Sequence, residues 1–193
     1  MINTKYFDGV KDKIESFDEQ REILIKKTRD VIKLSKQIIY SVHRDEFEKA
    51  EELIKQIKSK LAELDKITKD HAALYYSGSY KIAVQEYVEA ITYFEVIKNK
   101  KLPTHDELGV DLEYYLLGLM DLTGELVRKA INLAIKEDYE TAILIKGFVS
   151  DLYGELLKLD LRASELRKKF DSIKYDLNRL EDLVFQIKLK KSG

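Results

Sequence analysis

The sequence predicts an all-α protein, an antiparallel bundle of about six to seven helices that forms a single domain over residues 1–193. Three observations lead to this fold class. The chain contains one proline and eight glycines, too few to punctuate the many turns of a sheet protein. Charged residues make up 36% of the chain and hydrophobic residues 45%, a balance typical of long amphipathic helices. Apolar residues also recur at helical spacing along most of the chain.

The first half of the chain contains three predicted helices. The first covers about residues 17–44, where Leu24 begins an apolar series that repeats every seven residues. The second covers about residues 45–70 and carries its apolar residues at the same helical spacing. The third covers about residues 79–98, and Ser79 is its expected N-cap because a serine hydroxyl can accept a bond from a free backbone N–H of the first turn.

A connector over residues 99–109 separates the two halves and contains Pro103, the strongest helix stop signal in the chain. Three more helices are predicted after it, over about residues 110–136, 139–159 and 161–190. The segments between them are short and polar. Since no linker is long enough to divide two domains, the sequence predicts one helical bundle.

Composition excludes several classes of function. The chain has no cysteine, which excludes disulfides, thiolate metal sites and a cysteine nucleophile. No stretch of about 18 residues is apolar and free of charge, so we expect no membrane span. The amino-terminal residues are too polar and acidic for a secretory signal. We therefore expect a cytoplasmic protein without membrane contact, and with a formal net charge of −1 any contact with a polyanion must come from a local patch.

Two pairs of acidic residues stand within otherwise apolar helical segments. Glu86 and Glu89 are three residues apart, and Asp121 and Glu125 are four apart, so each pair lies on one face of its helix. Burying an ionised carboxylate costs several kcal/mol or more unless a positive charge compensates it. If the third and fourth helices pack together, all four acids can share a divalent cation, for which Mg²⁺ or Mn²⁺ is the natural candidate because both prefer oxygen ligands.

The acidic pattern has other interpretations. A glutamate on a helix is most often solvated, and the four acids can equally pair with lysine or arginine across helices. A di-iron centre is a weaker interpretation, since such bundle sites use Glu-x-x-His pairs. Here both pairs contain carboxylates alone, and His43, His71 and His105 lie elsewhere in the sequence.

A basic stripe runs along the first predicted helix. Its residues follow 3-4-3 spacing, and continuing that spacing reaches Tyr40 and His43. Repeated cations on one face can follow a phosphate backbone, and Tyr40 can stack on a base. A solvated helix face is the alternative interpretation. Arg128, three residues after Glu125, can either pair with that glutamate or bind a phosphate. The predicted nucleic-acid-binding residues are Lys26, Arg29, Lys33, Lys36, Arg44 and Arg128.

Three motifs together resemble the translin family, and specifically its translin-associated factor X branch. They are QEYVEA at 85–90, LLGxxDLTGELxR at 116–128, and TRDxIxxSKxxI at 28–39, which is followed by His-Arg at 43–44. The resemblance extends from about residue 19 to the last helix. It implies an all-α fold of about seven helices that assembles into a closed, hollow homo-oligomer.

The resemblance also implies a Mg²⁺-dependent endoribonuclease that acts on single-stranded RNA held inside the shell. Whether single-stranded DNA is an alternative partner is left open by the sequence. The acids of the two motifs carry over to Glu86, Glu89, Asp121 and Glu125 as metal ligands and catalytic residues. The structural translin branch lacks this full set. In the basic stripe only Arg29, Lys36 and Arg44 fall on matched positions.

Two functions therefore follow from the sequence, together with a third hypothesis of a structural helical oligomer whose acids pair with lysine or arginine across helices. The leading hypothesis is a metal-dependent endoribonuclease in which Glu86 or Glu89, if not bound to the metal, serves as general base. The alternative is a non-catalytic oligomer that binds single-stranded nucleic acid. Five aromatic residues can anchor subunit contacts in either case, or can equally complete the chain's own core; they are Tyr75, Tyr76, Tyr114, Tyr115 and Phe185.

Overall fold

A computed structural model of the chain describes residues 2–162 and 164–192. Within these residues every regular element is a helix, which confirms the predicted all-α class. The six long predicted helices are all present, and two single-turn helices are added between them. The elements are α1 (Thr4–His43), α2 (Phe47–Asp70), α3 (Ala72–Tyr75), α4 (Gly78–Phe94) with a π-helical turn (Glu95–Asn99), α5 (His105–Leu108), α6 (Leu112–Ile135), α7 (Tyr139–Leu157) and α8 (Ser164–Ser192).

The helix starts differ from the sequence expectation at two places. α1 begins at Thr4, where Asn3 accepts a hydrogen bond from the Tyr6 backbone N–H, rather than near residue 17. Residues 4–19 are exposed apart from Val10, so this part of the helix lacks the apolar periodicity that marks a buried face. α4 is capped by Ser77 and not by Ser79, because Ser77 has the extended backbone of a capping residue and its hydroxyl accepts from the Tyr80 N–H.

The packing order places two helices at the centre of the bundle. α1 packs against α2 and α4, and α4 packs against α6, which in turn packs against α7 and α8. The buried apolar side chains form one core cluster that includes Leu24, Leu117 and Ile173. α4 and α6 therefore have neighbours on several sides, and their facing surfaces include the two acidic motifs.

Gly118 allows α4 and α6 to approach closely. A Cβ atom at this position would lie 2.6 Å from the Gln85 carbonyl oxygen and 2.7 Å from the Val88 Cβ, both closer than real contacts allow. Any side chain here would force the two helices apart. The glycine inside the LLGxxD motif thus sets the distance between the helices that carry the acidic residues.

The predicted surface aromatics divide into two groups. Tyr76 and Phe185 are exposed, at 82% and 62% of their full surface, and remain available as contact residues. Tyr114 and Tyr115 are buried in the chain's own core, and Tyr75 packs against it, so these three take the second of the two roles and complete that core. Of the helices that the structure describes, none has both the length and the apolar character needed to cross a membrane.

Candidate functional site

Four acidic side chains lie where α4 packs against α6, close enough for Asp121, Glu86 and Glu125 to act on the charge of Glu89. Glu86 and Glu89 come from α4, and Asp121 and Glu125 come from α6. A cavity of about 410 Å³ opens at this place, and Glu86, Glu89 and Glu125 line it together with Lys36. All four acids are partly buried rather than solvated. α4 and α6 thus carry both acidic pairs into one region, and the assignment of these residues as a metal site stays a prediction.

Burial and mutual repulsion act most strongly on Glu89. Burial raises the pKa of this carboxyl to about 8, and the charges of Asp121, Glu86 and Glu125 add to the increase. The pKa of Glu86 is also raised, first by burial, while Lys36 opposes the increase. Among the residues that the structure describes, neither the Glu86 nor the Glu89 carboxylate has a hydrogen-bond or ion-pair partner, so both are free to accept a ligand.

Asp121 is held by Lys169, which reaches the site from α8 and forms an ion pair with the Oδ2 atom. The Lys169 ammonium also lies 3.4 Å from the Gln85 Oε1 atom. Burial nevertheless raises the pKa of Asp121, although Lys169 opposes this. No sequence pattern singles out Lys169, since it is one of many lysines in the chain and lies 48 residues from its partner.

Glu125 is held by His43, the last residue of α1. The His43 Nε2 atom lies 2.5 Å from the Glu125 Oε2 atom, and the His43 Nδ1 atom lies 3.0 Å from the Tyr93 hydroxyl. A carboxylate can only accept a hydrogen bond, so the His43 Nε2 atom carries the proton and the Tyr93 hydroxyl can donate to the His43 Nδ1 atom. The hydrogen bond from His43 is the main reason that the pKa of Glu125 is lowered, with a smaller contribution from Arg128.

The expectation that the histidines lie away from the acidic pairs was wrong for His43. It follows Lys36 by seven residues, which returns to nearly the same face of α1, and α1 packs against α4. The helical spacing of the basic stripe could therefore have placed it beside the acids. Its ring is engaged with Glu125 and Tyr93, so it acts on the site through the carboxylate that it holds.

The donor atoms at the site suit a hard divalent cation, because all four are carboxylates. As the side chains stand, however, no three of the described aspartate, glutamate and histidine residues converge closely enough to hold a metal ion. The reason is visible in the pairing: Asp121 is drawn to Lys169 and Glu125 to His43. Holding a cation with the full set requires Asp121 to exchange its lysine partner for the ion.

The predicted basic residues of α1 are all exposed, but they do not lie in one place. Arg29, Lys33 and Lys36 line a groove between α1 and α2, and Lys36 also lines the acidic cavity. Lys26 lies outside this groove, beside Glu22. The two remaining predicted cations contact neighbouring side chains: Arg44 pairs with Glu46 at 2.6 Å, and the Arg128 Nη1 atom lies 3.6 Å from Glu125 while Arg128 also lines the acidic cavity.

Comparison with known proteins gives the same family as the motifs. The sequence model described as the translin family matches residues 19–191. Translin of Gallus gallus is 33% identical over 81 residues, which cover 42% of this chain and 35% of the chicken protein, so the match spans about a third of that relative. Translin-associated protein X of Pongo abelii is 22% identical over 227 residues, covering 96% of this chain and 78% of that protein.

Solved structures with similar folds match nearly the whole chain. The crystal structure of apo-NeC3PO has a TM-score of 0.88 and 29% sequence identity, covering 96% of this chain and 98% of that one. The structure of AfC3PO in complex with duplex RNA has a TM-score of 0.87 and 24% identity, covering 97% and 99% of the two chains. The likeness to AfC3PO, at 24% identity, shows a shared fold.

Proposed function

Because this chain belongs to the translin family, we propose that it is a metal-dependent endoribonuclease that acts on single-stranded RNA inside a homo-oligomeric shell. The observation that carries this proposal is the cluster of four partly buried carboxylates between α4 and α6, next to exposed cations of α1. Sequence similarity to translin-associated protein X and similarity of fold to apo-NeC3PO support the proposal.

Glu86, Glu89, Asp121 and Glu125 are the proposed ligands of Mg²⁺ or Mn²⁺. When bound, such an ion polarises a phosphoryl oxygen and lowers the pKa of a bound water. Glu86 and Glu89 are available at once, since no described residue pairs with their carboxylates. Glu125 is kept anionic and oriented by His43. Either α4 glutamate, when not a ligand, can accept a proton as general base.

The cations around the cavity have a separate role. Lys36 and Arg128 line the same cavity as the acids, so they can contact the phosphates on either side of a scissile bond. Contacts of this kind recognise the backbone and carry little sequence preference. They also offset the repulsion between the RNA phosphates and the acidic cluster. We therefore expect broad sequence tolerance with strong dependence on salt.

The proposed assembly is supported by apolar side chains that the chain leaves uncovered. Residues 4–19 of α1 are exposed, and Phe7 and Ile14 within them are exposed large apolar side chains. Tyr76 and Phe185 are exposed in other helices. A helix of this length without an apolar partner in its own chain gains stability by packing against another subunit.

A cleavage assay on labelled RNA tests the proposed activity. Purified protein should cut single-stranded RNA in Mg²⁺ or Mn²⁺ and not in EDTA, and duplex RNA is the comparison substrate. Asp121→Asn and Glu89→Gln should each abolish cleavage, while Glu52→Gln, at an exposed position of α2, should keep it. Circular dichroism must show that the inactive variants fold. Cleavage by Asp121→Asn at the wild-type rate would identify a contaminating nuclease and overturn the proposal.

The second candidate function is a non-catalytic oligomer that binds single-stranded nucleic acid. The pairing of Asp121 with Lys169 and of Glu125 with His43 favours it, since both acids already have a cationic or hydrogen-bonding partner. This function predicts salt-sensitive RNA binding that survives EDTA, without cleavage under any metal condition. It also predicts that Mn²⁺ leaves the melting temperature unchanged, whereas a true metal site stabilises the fold by mass action.

A further inference from the structure

A groove of about 750 Å³ runs between α1 and α2, next to the acidic cavity. Its surface is mainly apolar, and partly buried Ile32 and Leu53 form part of it. Cations line it from both helices, and α2 contributes Lys49, which the sequence analysis did not select and which also contacts Glu46 at 3.0 Å. None of the lining residues is acidic. They are Arg29, Ile32, Lys33, Lys36, Gln37, Tyr40, Ser41, Lys49 and Leu53.

The groove is continuous with the acidic cavity through two residues. Lys36 and Tyr40 line both spaces. Tyr40 is 53% exposed. The Arg44 guanidinium lies 5.6 Å from the centre of its ring and donates to its hydroxyl at 3.3 Å, which fixes the ring at the junction. A strand that leaves the acidic cavity past Lys36 therefore meets an oriented aromatic face.

Ser41 also lines the groove and carries an unsatisfied hydroxyl. The residue is only 1% exposed, and its Oγ atom has no hydrogen-bond partner among the described residues. Ser35, one and a half turns earlier in the same helix, donates to the Val31 carbonyl oxygen at 3.1 Å instead. An unsatisfied buried hydroxyl is costly. A ligand seated on the groove floor would bring hydrogen-bonding groups next to Ser41.

We propose that the α1–α2 groove is the subsite for an unpaired nucleotide adjacent to the scissile phosphate, with its base stacked on Tyr40 between Ile32 and Leu53. This inference rests on the proposed function and names the part of the substrate that lies beyond the acids. Cations along an apolar cleft complement a single strand, whose phosphates need positive charge and whose base needs an apolar face. Bases in a duplex are paired and stacked on one another, so a duplex reaches only the cations at the rim.

Equilibrium binding of a short fluorescent RNA in EDTA tests the subsite without cleavage. Tyr40→Leu should weaken binding of the single strand at least about fivefold, since stacking on an aromatic ring is worth that much or more per base. Binding of the matching duplex should change less than about twofold. Tyr40→Phe keeps the ring and should bind like the wild type. Tyr175→Leu, at an exposed tyrosine of α8, should also bind like the wild type.

The cations are tested by the salt dependence of the same binding curves. Lys49→Gln should reduce the slope of log affinity against log salt by about one, as expected for a lost phosphate contact. Lys58→Gln, at an exposed position further along α2, is the matched control and should leave the slope unchanged. Equal slopes of log affinity against log salt in the two variants would show that Lys49 does not contact a phosphate in the subsite.

The outcomes separate this proposal from the proposed function. If Tyr40→Leu binds the single strand like the wild type, the subsite is wrong even when cleavage is intact. If Tyr40→Leu loses single-strand binding while the wild type shows no cleavage, the subsite stands and the ribonuclease does not. If Tyr40→Leu changes the oligomer mass measured by light scattering before RNA is added, the groove is a contact between copies of this chain and the proposal is overturned.

Discussion

Replacing Glu89 by glutamine should stabilise the metal-free protein, and the effect should depend on pH. In the folded chain, burial and three neighbouring acids raise the pKa of Glu89 from 4.5 to about 8. Between these two pH values the folded chain retains a proton that the unfolded chain releases. Stability must therefore fall as pH rises through this window, and the loss is complete above about pH 8.

The size of the effect follows from the pKa of the buried carboxyl. At about 1.4 kcal/mol per pH unit, the full loss is about 5 kcal/mol, and about 3 kcal/mol is expected once the residual solvent contact of Glu89 is considered. Glutamine carries no charge and keeps a similar size. Glu89→Gln and the wild type should therefore be about equally stable near pH 5, and the variant should be more stable at pH 8. For a chain of this length, the difference corresponds to a melting temperature higher by on the order of 10 °C.

The measurement is thermal unfolding by circular dichroism in EDTA from pH 5 to pH 9, at one protein concentration because assembly shifts the transition. Glu52→Gln, on the exposed face of α2, is the control and should follow the wild-type curve. Parallel curves for Glu89→Gln and the wild type across this range would refute the reasoning, since they would show that the Glu89 carboxyl is not destabilised by its surroundings.

Three further substitutions test other parts of the site. Gly118→Ala should destabilise the fold by about 1–3 kcal/mol in urea unfolding, because the added Cβ has no space. Gly147→Ala is the control and should be neutral or slightly stabilising, since its added Cβ meets nothing within 4 Å. Equal effects of the two substitutions would contradict the close approach of α4 and α6. His43→Leu should raise the Mg²⁺ concentration for half-maximal cleavage about 10- to 100-fold because Glu125 loses its orienting donor, and an unchanged metal requirement would exclude that role. Lys169→Met should lower the melting temperature in EDTA, because Asp121 loses its ion-pair partner. It should also increase the stabilisation by Mn²⁺, because the ion no longer competes with the ammonium for Asp121. If Mn²⁺ raises the melting temperature of the variant no more than that of the wild type, the Lys169–Asp121 ion pair does not limit metal binding.

The acidic cluster could be predicted because its information is local. The spacing of Glu86 and Glu89 fixes their common face, and the same holds for Asp121 and Glu125. Only the assumption that the third and fourth predicted helices pack together was needed to place the two pairs in one region. In the structure, Gly118 allows these helices, α4 and α6, to approach closely. The long helices were predictable on the same grounds, since apolar residues at helical spacing mark a buried face.

The parts that could not be predicted depend on contacts between distant residues. Nothing in the local sequence of α8 distinguishes Lys169 from its neighbours, and only packing brings it to Asp121. The burial of Tyr114 and Tyr115 likewise reflects the path of the chain around α6 rather than their own spacing. The start of α1 was missed for the opposite reason, because its first turns bury almost nothing and leave no periodic signal.

Direct titration of divalent metal tests the central claim, that α4 and α6 together form a cation site. We predict that isothermal calorimetry with Mn²⁺ detects saturable binding to the wild type, that Mg²⁺ competes for it, and that the Glu89→Gln/Asp121→Asn double variant loses it while remaining folded. Equal binding of Mn²⁺ by the wild type and the double variant would show that the ion lies elsewhere and would contradict this account.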